Sequence, residues 1–166
     1  MQKIVSLMWI ISALLLGCNG EKKNKDGGET KTVSYDYRKL PKRIVINEKA
    51  SSILDDWDAF ANFSRSVEIL YQARNDEDLK LAVDDLIEKE KALAESEYPE
   101  IFDKLQLKSR QRVIKTFLLK TQADLLGNRD ATDSAVRMID AYNAFRSQFN
   151  MITNNPLDVK TILDEN

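Results

Sequence analysis

From residue 47 onward the apolar side chains recur at intervals close to 3.6 residues. That spacing lines one face of an α-helix. Ile53, Leu54, Trp57, Phe60, Ala61, Val67 and Leu70 predict a first helix over about 51–74, with Asn75 and Asp76 breaking it and capping the next. Leu79, Ala82, Val83, Leu86 and Leu93 predict a second over about 77–95. Pro99 interrupts the pattern, in the first turn of a short piece over 100–107. Val113, Ile114, Phe117, Leu118 and Leu125 predict a third helix over about 109–126, with Gly127 as its C-terminal cap. The fourth begins at Asp130 or Thr132 and carries Ala135, Met138, Ile139, Tyr142, Phe145, Phe149 and Ile152 inward; Asn154-Asn155-Pro156 ends it. Five glycines and three prolines leave little material for tight turns, and 31% charged residues favour long helices. Amphipathic helices of this length are not stable alone in water. The expected fold is therefore all-α: an antiparallel up-down four-helix bundle over 47–153, with a short tail over 154–166.

The first 46 residues are of another kind. Lys3 is followed by 13 residues, Ile4 to Leu16, without a charge. As a helix these reach about 20 Å, short of the roughly 30 Å of a bilayer core but suited to the apolar region of a signal peptide. The run closes on Leu15-Leu16-Gly17-Cys18, and Cys18 is the chain's single cysteine. This layout resembles the signal peptide and lipobox of a bacterial lipoprotein, with Leu16 standing where a small residue is common. The resemblance implies cleavage between Gly17 and Cys18, lipidation of the Cys18 sulfur, and lasting attachment, since more than one acyl chain is needed for stable anchorage. Residues 1–17 are then the signal peptide and 18–46 a lipidated cysteine with a basic stalk and an extended segment. Residues 19–46 hold eight Lys/Arg against four Asp/Glu, whereas 47–166 hold 16 against 23. The basic charges either touch anionic headgroups or keep the stalk soluble. Within the segment, Tyr35, Tyr37, Leu40 and the β-branched run Ile44-Val45-Ile46 favour extended backbone. It packs on its own body or serves as a docking strand for a partner, with Tyr35, Tyr37, Ile44 and Ile46 as the contact residues.

Composition narrows the chemistry. The chain has no histidine, so imidazole is missing as metal ligand, haem ligand, proton shuttle or triad base. With Cys18 committed to lipid, no thiol remains for a disulfide. The carboxylates at 55, 56 and 58, at 76–78, and at 84, 85 and 88 flank the apolar stripes and read as solvated faces. Glu90 differs, because it lies on the stripe between Leu86 and Leu93 and needs a partner such as Lys115, Lys120 or Arg112. Met138 and Met151 read as core filling. There is no Gly-x-Ser-x-Gly elbow and no phosphate loop, and the basic run around Lys108 to Lys115 reads as a solvated helix face rather than a nucleic-acid surface. No catalytic residue, metal site or cofactor is expected.

The block from Trp57 to Leu119, with Glu97-Tyr98-Pro99-Glu100 at a helix join and Arg110-Gln111-Arg112-Val113-Ile114-Lys115-Thr116 opening the next helix, resembles small uncharacterised helical lipoproteins of the Bacteroidota. That resemblance implies a cell-envelope setting on the periplasmic or surface side, in the outer membrane, and brings no catalytic residues. The functional expectation is a membrane-anchored, non-catalytic module that binds an envelope protein. The alternative is a sensory bundle holding a small apolar ligand against Trp57, Phe60, Tyr142 and Phe145. Cys18→Ala is expected to give a soluble or unprocessed product; fractionation that finds the variant still in the membrane would count against lipidation.

Overall fold

The computed structural model describes residues 35–154. The expected signal peptide with Gly17, the expected lipidation site Cys18, the expected stalk as far as residue 34 and the tail from residue 155 lie outside the described residues. The described part is an all-α helical bundle of five helices: α1 (Glu48–Leu54), α2 (Asp58–Leu70), α3 (Asp76–Glu95), α4 (Leu105–Leu126) and α5 (Thr132–Asn154). Helices α2 with α3, α3 with α4, and α4 with α5 pack antiparallel, and α1 lies against α5. Two single 3-10 turns, Tyr37–Lys39 and Glu100–Phe102, complete the described elements. Among the described residues no helix is long and apolar enough to cross a membrane.

The fifth helix corrects the sequence reading, which joined α1 and α2 into one. The chain breaks at Asp55-Asp56-Trp57, and Trp57 leaves helical geometry at φ −103°, ψ 84°. Period alone cannot see this break, because Leu54, Trp57 and Phe60 keep helical spacing across it. The cause is tertiary. The indole lies 4.5 Å from the Tyr98 ring and 5.8 Å from Phe60, and its Nε1 donates to Ser96 Oγ at 3.0 Å. Burial of the ring together with its N–H partner fixes the backbone where two aspartates already weaken a helix interior.

Elsewhere local chemistry sets the boundaries. Asn47 caps α1 by accepting from the Ala50 N–H at 2.8 Å, and Asn75 caps α3 by accepting from Asp78 at 2.8 Å. Helix α4 starts four residues earlier than expected, so Leu105 to Leu107 belong to it, and Pro99 sits just before the 3-10 turn as its cap. At the other end Gly127 caps α4, but Asn128, at φ 49°, takes the left-handed conformation. Asn128 N donates to Leu125 O (3.1 Å) and Arg129 N to Asp124 O (2.8 Å), the bond pair of a Schellman motif.

The predicted stripes of α3 and α5 face inward, with Ile152 at the edge. Two positions do not follow the prediction. Val113 is exposed, because the inner face of α4 runs through Leu107, Gln111, Ile114, Leu118 and Thr121, one step round the helix. Met151 is also exposed, while Met138 is buried. The core is an aromatic cluster centred on Phe149, whose ring lies 4.7 Å from Phe145, 4.8 Å from Phe102 and 5.2 Å from Phe60. Phe145 is fully buried, so Phe145→Ala should leave a cavity and cost about 3–5 kcal/mol. Urea unfolding checks this; an unchanged midpoint would contradict the packing.

Candidate functional site

Residues 35–47 run as a strap along the bundle, and their backbone is held by side chains of α5. Ile44 N donates to Asn143 Oδ1 (2.9 Å), and Asn143 Nδ2 donates to Lys42 O (2.9 Å). Arg146 Nε donates to Ile44 O (2.6 Å), and Asn150 Nδ2 donates to Val45 O (2.8 Å). Asn47 N donates in turn to Asn150 Oδ1 (2.8 Å). The helix thus offers the strap the donors and acceptors that a neighbouring strand would supply. Farther up, Tyr35 N donates to Asp76 Oδ1 (2.8 Å), and Tyr71 donates its hydroxyl proton to Pro41 O (2.8 Å).

Of the four contact residues expected in this segment, Tyr35 is buried and Ile46 packs against the core. Tyr37 and Ile44 are each about four-tenths exposed, and the Arg74 guanidinium lies 4.5 Å above the Tyr37 ring. The Tyr35 hydroxyl has no hydrogen-bond partner among the described residues, and burial pushes its pKa up to about 12. The expected ligand-lining residues Trp57, Phe60, Tyr142 and Phe145 do come together, but as part of the aromatic core. Phe60 and Phe145 are 6.2 Å apart, and Phe63 fills the space beside Tyr142 at 5.8 Å.

Open space lies outside that core. A cleft of about 420 Å³ is bounded by Arg43, Val45 and Ile46 of the strap, by Ser51, Leu54 and Asp55 at α1, and by Phe60, Ala61, Ser64, Arg65 and Glu68 of α2. Arg146 reaches it from α5. Arg43 pairs with Glu68 across the cleft, while among the described residues Arg65 bonds only Asn62 Oδ1 (3.1 Å). Arg146 is 7% exposed, and its Nη1 donates to the Tyr142 hydroxyl (3.0 Å). Among the described residues no carboxylate lies within 4.0 Å of its guanidinium. The Tyr142 hydroxyl also meets Ser64 Oγ at 2.8 Å. A second cleft, about 550 Å³, is lined by Asp56, Glu97 and Glu100 with the edges of Trp57 and Tyr98.

Glu90 is buried as its position on the stripe requires, and its partners come from α4. Gln111 Nε2 donates to its Oε1 (3.1 Å), Lys115 Nζ stands 3.8 Å from Oε2, and the Tyr98 hydroxyl donates to Gln111 Oε1. Burial raises the Glu90 pKa, and Lys115 and Gln111 oppose the rise without cancelling it. The other acids behave differently: Asp84 accepts from Gln122 (2.7 Å) and Asp85 from Ser66. Among the described residues no three His, Cys, Asp or Glu side chains converge.

Comparison with family models, with curated proteins and with solved structures returns no match.

Sequence reasoning passed over Asn143, Arg146 and Asn150. They lie three and four residues apart and form a polar stripe of helical period beside the apolar one. That periodicity was the available signal. Glu90 gives a direct test. Its raised pKa means the folded state holds a proton that the unfolded state has already lost. Its contribution to stability is therefore full below the ordinary glutamate value of 4.5 and falls as pH rises through the raised value. Glu90→Gln should flatten that fall and be at least as stable as the parent at pH 7. Urea midpoints across pH 4–8 measure it, and parallel profiles would refute the assignment.

Proposed function

We propose that the chain is a non-catalytic binding module of a bacterial cell envelope, held to the membrane through acylated Cys18, with the strap-lined cleft as its contact surface. The run Leu15-Leu16-Gly17-Cys18 supports the anchor, and Asn19 directly after it is compatible with an outer-membrane setting. The observation that carries the binding role is the cleft itself. Polar groups from three helices and the strap surround it, and the strap is the part of the body that leads toward Cys18.

The docked strap also sets the reach of such a module. Residues 35–46 belong to the body, so 16 residues, 19–34, separate it from the anchor. Fully extended they span about 55 Å, well below the roughly 90–100 Å that the whole segment 19–46 allows. The partner is then a protein within that distance of the bilayer. Exposed Val45 and half-exposed Ile44 at the rim supply apolar contact, and Arg43 and Arg65 supply charge. The reading of a small apolar ligand held between helices transfers to this cleft as well, because the aromatic rings of the core fill their own space.

Crosslinking of intact cells, followed by capture of the chain, is expected to recover one dominant envelope protein. Val45→Asp, on an 82% exposed residue, should reduce that yield at least several-fold without changing the melting temperature. Equal recovery from parent and variant would remove the cleft rim from the contact.

A further inference from the structure

We propose that the cleft between the strap, α1 and α2 binds a small ligand in which a carboxylate is joined to a short apolar body, the carboxylate resting on Arg146 and Ser64. The inference builds on the reading of the chain as a binding module and adds the chemistry of what it takes.

The argument starts from the charge on Arg146. A guanidinium stays protonated under all ordinary conditions, and a buried charge is costly unless an opposite charge or a full set of hydrogen bonds offsets it. Arg146 is more than nine-tenths buried, yet among the described residues its hydrogen-bond partners are a carbonyl and a hydroxyl, both neutral, and the Tyr142 ring 5.4 Å away carries no full charge. Glu90 and Asp124, the buried acids, each have a cation within 4.0 Å. Arg146 lines a cleft wide enough for a ligand, so the missing anion has a place to come from.

Hydrogen-bond direction adds a second donor. The arginine can only donate, so the Tyr142 hydroxyl accepts from Arg146 Nη1 and must send its own proton elsewhere. Tyr142 is fully buried, and the acceptor in reach is Ser64 Oγ at 2.8 Å. Ser64 therefore accepts from Tyr142, and its own hydroxyl proton is left for the cleft that it lines. A guanidinium and a hydroxyl then face one space, an arrangement suited to a carboxylate. The remaining wall is mixed: Val45, Ile46, Leu54 and Phe60 offer an apolar strip for the body, beside the charged side chains of Arg43, Arg65, Asp55 and Glu68, and neither of those carboxylates lies within 4.0 Å of Arg146. A volume of about 420 Å³ falls in the range of small-molecule sites and accommodates an aliphatic chain of several carbons.

Octanoate is the probe, titrated calorimetrically into the full chain in lipid nanodiscs, with empty nanodiscs as the reference. Saturable one-to-one binding is expected at neutral pH. Octanol, which keeps the body without the charge, and inorganic phosphate, which keeps the charge without the body, should each bind at least tenfold more weakly. The lost group is a charge-assisted hydrogen-bond donor, so Arg146→Gln should lower octanoate affinity at least tenfold. Arg146→Lys, which retains charge without the fork, should fall between. Should Arg146→Gln lose its helical circular dichroism, Ser64→Ala carries the test with an expected loss of about threefold or more.

Octanol or phosphate binding as tightly as octanoate, an unchanged affinity in Ser64→Ala, or no saturable heat would each overturn the proposal. Loss of octanoate binding with partner capture intact removes the ligand and leaves the tethered module. Loss of partner capture with octanoate binding intact does the reverse.

Discussion

Helix α5 is engaged on two faces at once, and the rest of the body is arranged around that fact. Twelve of its residues are buried, including the aromatic side chains of Tyr142, Phe145 and Phe149 on one face and the polar Asn143 and Arg146 beside them. The aromatic face closes the bundle: Phe149 touches rings from α2, from the turn before α4 and from α5 itself. The polar face holds the strap. A helix covered in this way cannot be exchanged for a generic amphipathic one, because its second face must satisfy the backbone of an extended segment as well as avoid water.

The strap and the cleft follow from that second face. An extended segment lying alone on a helix leaves its N–H and C=O groups without strand partners, and side-chain amides at a spacing of three and four residues replace them. Asn143 and Asn150 each present both a donor and an acceptor to the strap. Asn47 then ties the end of the strap to the end of α5, through Thr153 Oγ1 and Asn154 Oδ1 at 3.1 Å each. The short α1 begins from this anchored point. It diverges from α2 at the break before Trp57, and the cleft lies along the two helices under the strap.

Three buried charged groups show how differently one small body treats ionised side chains. Asp124 is held below the usual carboxylate range by its hydrogen bonds to Lys120 at 2.7 and 2.8 Å, with Arg129 at 3.1 Å adding to the effect. It sits at the Schellman turn and fastens the end of α4. Glu90 meets a more distant ammonium and a neutral amide, so burial prevails and its pKa rises. Arg146 meets two neutral oxygens and the Tyr142 ring, and no carboxylate, among the described residues. The first two arrangements are complete within the fold, while the third opens on a cleft.

Much of the architecture was legible in the sequence. The all-helical class, the ends of α3, the polar cap at Asn75, the stop of α4 near Gly127 and the inward stripe of α5 all follow from local periodicity and capping chemistry, which act within a few residues of chain. The need of Glu90 for a partner was legible for the same reason, since its place on the stripe forces it inside. The break at Trp57, the outward turn of Val113, the choice of Lys115 and Gln111 as partners of Glu90, and the cleft around Arg146 were decided by contacts between residues far apart in sequence. Trp57 stops a helix because Ser96 and Tyr98 receive its indole, and Asn143 is buried because a strap about 100 residues earlier lies on it. Periodicity reports which face of a helix avoids water. It carries no information about what else lands on the remaining faces, and that was settled only when the chain folded back on itself.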